Sequence, residues 1–330
     1  MRVAVVLNTS AGSLLGVDDA EAAIAEAFAV RGFDATFEPD DGRELNDRMD
    51  AAVAHGADAV VVGGGDGTIA CAVQRLAGTG VALAVLPLGT ANLFARDLGM
   101  PLDDIGAAVE AIAGGNARDI DVGEVNGHVF VCNSVLGLAS RLAKRRERFR
   151  GSFRVRDWWA FLVSAWRGLV RYPAMRLELE ANGRKRVLRT RALTVVDGDY
   201  EEGFGRMFSR SALDDGRLVL YVAASLTPWR AVVLGVRMAF GRWRDAADLE
   251  RFEADAFTIR SRRKSVRVMN DGEILLLAPP LAYRIRRGAL RVIVPPRLEA
   301  PGDATTAPAS GDAALPAATG RAPANAGLAA

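Results

Sequence analysis

The sequence predicts an α/β fold, with an N-terminal parallel-sheet domain followed by a C-terminal antiparallel β-sandwich domain with helical insertions. Three observations point to it. Strand-like and helix-like runs alternate through the first part of the chain, the signature of βαβ units on a parallel sheet. From Asp119 onward, Asn-Gly and Asp-Gly pairs sit between strand-like runs, the strongest short-range hairpin signal. A chain of 330 residues, 50% of them apolar, has material for two hydrophobic cores.

The elements follow in order. Val3–Leu7 reads as a buried strand, Asp19–Val30 as an Ala-rich helix, Ala35–Glu38 as a second strand and Leu45–Ala54 as a helix. Ala59–Gly63 is a strand, Thr68–Ala77 a helix, Leu83–Pro87 a strand and Asp103–Ala113 a helix. Residues 1–120 thus form the first domain. In residues 121–298, hairpins turn at Asn126-Gly127, Asn182-Gly183 and Asp271-Gly272, and the last strand is a candidate to return to the first domain. Helices at Asp157–Val170 and Thr227–Phe240 interrupt this β domain, the second with Thr227 as N-cap and Pro228 at N1. Residues 299–330 are Ala, Pro, Gly and Thr with few large apolar side chains, a composition expected to stay disordered.

A net charge of +2 does not favour a nucleic-acid partner. The first apolar run ends at Asn8, too short for a secretory signal. No window reaches a membrane span, since the best candidate is broken by Arg167. Cys71 and Cys132 lie in apolar runs without metal-ligand spacing, as reduced core residues of a cytoplasmic protein do. His55 and His128 read as surface polar residues.

The chemistry gathers at three turns. Val60–Leu76 runs from an apolar strand through GGGDGT into a helix, Leu83–Leu98 passes through Gly-Thr in the same way, and NTSAGS follows the first strand. All three would lie at the carboxyl edge of one parallel sheet, where open α/β sheets bind ligands. A P-loop is excluded, because no Lys-Ser or Lys-Thr follows the glycines. Lysine is nearly absent from this domain, so phosphate charge would fall to backbone N–H groups, arginine and a metal. Asp66 reads either as a helix-capping carboxylate or as a contact to nucleotide-bound Mg²⁺.

GGDGT (Gly64–Thr68), LPLGTAN (Leu86–Asn92), DDGRL (Asp214–Leu218) and DGE (Asp271–Glu273) together resemble the diacylglycerol kinase catalytic family, which includes bacterial soluble lipid kinases and sphingosine kinases. The resemblance covers residues 1 to about 297. It implies an NAD-kinase-like arrangement with the active site between the domains, and transfer of the ATP γ-phosphoryl group to a hydroxyl of diacylglycerol or a related lipid. Asn8, Thr9, Ser10, Ala11 and Gly12 match a nucleotide-binding stretch. So do Gly64, Gly65, Asp66, Gly67, Thr68, Ile69 and Ala70, and then Gly89, Thr90 and Asn92. Asp215 matches a structural Mg²⁺ ligand, with the carbonyls of Ala212 and Arg217 as companions. Glu273 matches the catalytic base, with Asp271 beside it in an orienting or coordinating role.

The chain departs from the family pattern at several positions. Leu93 stands where many members have Asp, Thr9 where Pro is common, and no acidic residue follows Gly137 in Asn133–Ser140. Residues 197–205 lack the usual Asn followed by a Gly pair. Asp121 matches another acidic position of the family, one that could compensate in part.

All five tryptophans fall in the two helical interruptions: Trp158, Trp159 and Trp166 in the first, Trp229 and Trp243 in or after the second. Arginine flanks both. Such segments suit an interfacial helix, and equally two helices packing Trp on the β domain. The reading that results is a lipid kinase at the inner membrane face. A kinase of a soluble dinucleotide or sugar phosphate, or a non-catalytic nucleotide- or lipid-binding protein, remains the alternative, and a homodimer is left open.

Overall fold

Four parallel strands begin the chain: β1 (Val3–Leu7), β2 (Ala35–Phe37), β3 (Ala59–Gly64) and β4 (Ala82–Pro87), in the order β2-β1-β3-β4. β1, β3 and β4 are buried along their whole length, as expected for Val/Ala-rich strands covered on both faces. Helices α1 (Ala20–Val30), α2 (Leu45–Ala54), α3 (Asp66–Leu76), α4 (Leu93–Asp97) and α5 (Ile105–Ala113) complete this lobe. α1 packs beside α5 and α2 beside α3, placing Phe28, Met49, Val73 and Ile112 in one core with the strands. The computed structural model describes residues 2–8, 20–39, 42–137, 170, 173–201, 210, 212–223, 227–244, 246 and 248–296.

The chain then turns antiparallel. Its elements are β5 (Asn116–Val125), β6 (His128–Phe130), β7 (Asn133–Gly137), β8 (Met175–Ala181), β9 (Arg184–Thr190), β10 (Ala192–Asp197) and β11 (Leu218–Ala223). Helix α6 (Pro228–Ala239) precedes β12 (Leu249–Ala254), β13 (Ala256–Ser261), β14 (Val266–Asn270), β15 (Glu273–Leu277) and β16 (Leu281–Val294). A six-stranded sheet runs β12-β11-β10-β7-β14-β15. Its inner residues Leu193, Val195, Leu218, Leu220 and Val268 share a core with Leu177, Leu179, Phe257, Ile259 and Tyr283. The turns at Asn126, Asn182 and Asp271 have φ of 48°, 50° and 46°, each followed by a positive-φ glycine, the left-handed pair that a tight hairpin requires.

Strand β16 belongs to both lobes. Its first residues pair antiparallel with β13, and Val292 pairs parallel with Leu83 of β4. Along its length β16 also pairs with β5, with a register shift between Arg286 and Leu290. The parallel sheet and one layer of the sandwich are therefore a single ten-stranded sheet.

Some boundaries differ from expectation. The helix expected from Thr68 starts at Asp66 with Gly65 as its N-cap, so Asp66 is a helical residue rather than part of the turn. The helix expected from Asp103 starts at Ile105, because Asp104 is the N-cap and accepts a bond from the Ala107 N–H at 3.1 Å. Thr227 caps α6 as expected, accepting from the Arg230 N–H. The two tryptophans of that region separate: Trp243 is buried with its ring 5.2 Å from that of Tyr221, whereas Trp229 is 70% exposed. The expected Asp157–Val170 helix, apart from Val170 itself, lies outside the described residues, as do Trp158, Trp159, Trp166 and the tail 299–330.

Gly123 and Phe130 face each other across the β5–β6 hairpin, and the Phe130 ring lies where a Cβ on Gly123 would stand. Gly123→Ala should cost about 1–3 kcal/mol by overpacking, read as a lower urea midpoint at unchanged slope; an unaltered midpoint would refute this contact.

Candidate active site

The register of the parallel sheet brings three strand ends together. Leu7 pairs with Gly63, and Gly64 with Pro87, so Asn8, the turn at Gly65 and the turn at Gly89 are neighbours. The Asn8 amide donates to the Thr68 hydroxyl at 2.8 Å, and its main-chain N–H donates to the Gly63 carbonyl at 2.8 Å. Ile69 is buried and Ala70 half-buried on α3, while Thr90 is exposed. Thr9, Ser10, Ala11 and Gly12 lie outside the described residues.

The glycines have causes inside the protein. A Cβ on Gly63 would meet Leu7 Cδ2 at 2.5 Å, and one on Gly64 would meet the Thr68 side chain at 2.5 Å. A Cβ on Gly89 would stand 2.5 Å from the Cα of Gly65. The two bare turns thus exist first so that β3 and β4 can deliver their loops back to back, a requirement that no side chain satisfies. Asn92 holds the second turn. In the left-handed region at φ 47°, it accepts from the Gly89 N–H at 2.9 Å and donates to the Gly89 carbonyl at 2.8 Å.

Asp66 does not cap its own helix. Its carboxylate crosses to the second turn and accepts from the Leu93 N–H at 2.7 Å and the Asn92 N–H at 3.2 Å. Both oxygens are committed to the main chain, and the N-terminus of α3 has no side-chain cap.

Glu273 begins β15 and is exposed. Its Oε1 lies 3.0 Å from where a Cβ on Gly67 would be, so the carboxylate hangs over the first turn of α3. Two braces hold it there. On α3, the Gln74 side chain accepts from the Val129 N–H of β6 at 2.9 Å. Just beyond β6, the N–H groups of Val131, Cys132 and Asn133 donate to Asp271 at 2.7, 2.8 and 2.9 Å. Burial raises the Asp271 pKa while these three amides oppose the shift. Asp271 therefore acts as a positioning residue that fixes the hairpin carrying Glu273, as the orienting role expected of it requires.

The proposed metal ligands gather around Gly198. The Ala212 carbonyl and Asp215 Oδ2 lie 3.1 and 3.6 Å from the position of a Cβ there, and the Arg217 carbonyl accepts from the Gly198 N–H at 3.0 Å. A methyl at residue 198 would fill this cradle. Two carbonyls and one carboxylate are the hard oxygen donors that Mg²⁺ takes, so the residues fit the ion. No group of three His, Cys, Asp or Glu side chains with metal-site geometry occurs among the described residues. The loop is anchored by Asp121, which accepts from the Gly216 N–H at 2.6 Å and the Gly288 N–H at 2.8 Å. Both glycines have positive φ. Asp121 is thus a main-chain clamp for this loop.

A buried ionic group escaped the sequence reading. Arg210 donates to Asp97 at 2.8 Å and lies 3.4 Å from Asp197. It joins α4 of the first lobe to β10 of the second, and all three side chains are buried. Burial pushes Asp197 up to about 8, with the guanidinium opposing only in part. No local pattern marks this group, because Arg210 and Asp97 are 113 residues apart.

Comparison with known proteins bears on the whole arrangement. The diacylglycerol kinase catalytic domain model matches residues 2–125, and the YegS C-terminal NAD kinase beta sandwich-like domain model matches residues 135–294. A probable lipid kinase YegS-like protein of Pseudomonas aeruginosa is 40% identical over 146 residues, 43% of this chain and 46% of that protein. A diacylglycerol kinase of Bacillus subtilis is 31% identical over 170 residues, 50% of this chain and 54% of its own length. The chain spans about half the length of the curated relatives it matches. The crystal structure of a diacylglycerol kinase from Bacillus anthracis shares the fold, with a TM-score of 0.64 at 19% identity, over 89% of this chain and 97% of that one.

If Asp66 clamps the second turn, Asp66→Ala should cost about 1–3 kcal/mol by orphaning two amides. Hydrogen exchange should then lose protection at Asn92 and Leu93 and keep it along β3. Unchanged protection at residues 92 and 93 would overturn the clamp.

Proposed function

The chain belongs to the diacylglycerol kinase catalytic-domain family, and from that membership we propose that it transfers the γ-phosphoryl group of ATP to a hydroxyl of diacylglycerol or a related lipid. The observation that carries the reading is the Glu273 carboxylate over the uncapped first turn of α3. A helix N-terminus and bare turns suit the donor phosphates. An exposed carboxylate above them suits an acceptor alcohol.

In this mechanism α3 and the turn at Gly89 hold the triphosphate by main-chain N–H groups. Asp66 and Asn92 keep that turn rigid, so no reorganisation is required at the moment of transfer. Glu273 takes the proton of the acceptor hydroxyl as its oxygen bonds to the γ-phosphorus. The bond from that phosphorus to the bridging oxygen breaks, and ADP leaves. Ala212, Asp215 and Arg217 would hold Mg²⁺, which when bound supplies a fixed positive charge to the loop that Asp121 anchors.

Purified protein with labelled ATP, Mg²⁺ and a panel of lipid and soluble alcohols tests the proposal. Label should pass to a lipid hydroxyl, and Glu273→Gln should lower kcat by about 10²–10⁴-fold while nucleotide affinity is retained. Transfer to soluble acceptors alone, or full activity in the variant, would reject it.

A further inference from the structure

Helix α6 has two apolar faces. One is spent on the protein: Leu234 and Met238 pack with Val196, Val219, Tyr221 and Trp243 on the outer side of the six-stranded sheet. The other faces solvent. Trp229, Val236 and Phe240 are 70%, 51% and 64% exposed, with Val232 and Val233 exposed between them. Their spacing of three, four and seven residues draws one stripe about 100° wide, opposite the packed face. More than half of the exposed large hydrophobic residues among the described ones lie on this stripe, whereas such residues ordinarily scatter singly.

We infer that this stripe docks the protein on the surface of an anionic phospholipid bilayer. Charge selects the partner. From Thr227 to Arg244 the chain has four arginines and no acidic residue. Arg230 is bonded to Asp248 and Arg244 pairs with Asp199, and Arg237 and Arg242 are exposed. Basic side chains beside an apolar helix face, with a tryptophan at one end, match the headgroup layer of a bilayer containing anionic lipid. Area argues against a second copy of the chain, since five side chains offer roughly 500 Å², short of the ~800 Å² per partner that stable dimers bury. The stripe is convex, so a yielding surface suits it better than a rigid groove.

Docking also explains the helix's position. α6 lies on β10 and β11, and β10 ends at Asp197, beside the Gly198 cradle and the Arg210 group. A membrane-bound α6 would hold the proposed site at the source of its lipid acceptor, a purpose that rests on the kinase reading although the docking itself does not.

The test is sedimentation of the full chain with phosphatidylcholine vesicles, with and without phosphatidylglycerol, alongside the exposed-face variants Trp229→Ala/Val236→Glu and Arg237→Glu. Wild-type protein should pellet with the anionic vesicles, and the double variant should partition about tenfold or more weakly at an unchanged urea midpoint. Arg237→Glu should weaken binding to the anionic vesicles alone. Three results would overturn the inference: wild type left in the supernatant, a double variant that pellets like wild type, or a wild-type dimer that the double variant splits. The same samples are assayed on short-chain diacylglycerol dispersed in solution. Retained transfer with lost vesicle binding supports docking, and vesicle binding without any transfer supports docking while removing the kinase reading.

Discussion

Three buried or half-buried carboxylates tied to main-chain amides fix the loops around the candidate site. Asp66 holds the N–H groups of Asn92 and Leu93, Asp121 those of Gly216 and Gly288, and Asp271 those of Val131, Cys132 and Asn133. An ionised carboxylate accepts such bonds at roughly twice the strength of a neutral acceptor. Each clamp also joins stretches far apart in sequence. The first fixes the two glycine turns to each other, the second fixes the Asp215 loop to the bulge in β16, and the third fixes the hairpin that carries Glu273. Loops that would otherwise be adaptable thereby become parts of a rigid frame.

This frame changes the meaning of the glycine-rich turn. Read as sequence, bare backbone suggests room for a phosphate. In the structure, Gly89 is bare because a Cβ there would run into the Cα of Gly65, and Gly63 because Leu7 and Leu88 fill the space beside it. Exposed amides at the start of α3 follow from that packing. The same residues can serve both ends, since close loop packing leaves the helix terminus uncovered.

Local patterns were the legible part. Alternation and the Asn-Gly and Asp-Gly pairs carried the parallel sheet and the three hairpins, because strand period and left-handed turns depend on neighbouring residues. Glu273 was legible only through resemblance, as its place over Gly67 depends on a hairpin and a helix about 200 residues apart. The partners of Asp66, Asp121 and Asp271 and the Arg210 group were not legible, because each acts across the fold. Trp229 and Trp243 show the limit most plainly. They share a residue type and an arginine-rich setting, and only the face on which each falls decides that one is core and the other surface.

Strand β16 carries a last consequence. One unbroken main chain is stitched to β4 in one lobe and to β13 in the other, with β5 laddered along it. Such a molecule cannot gape like a hinged clamshell without parting backbone hydrogen bonds along that seam.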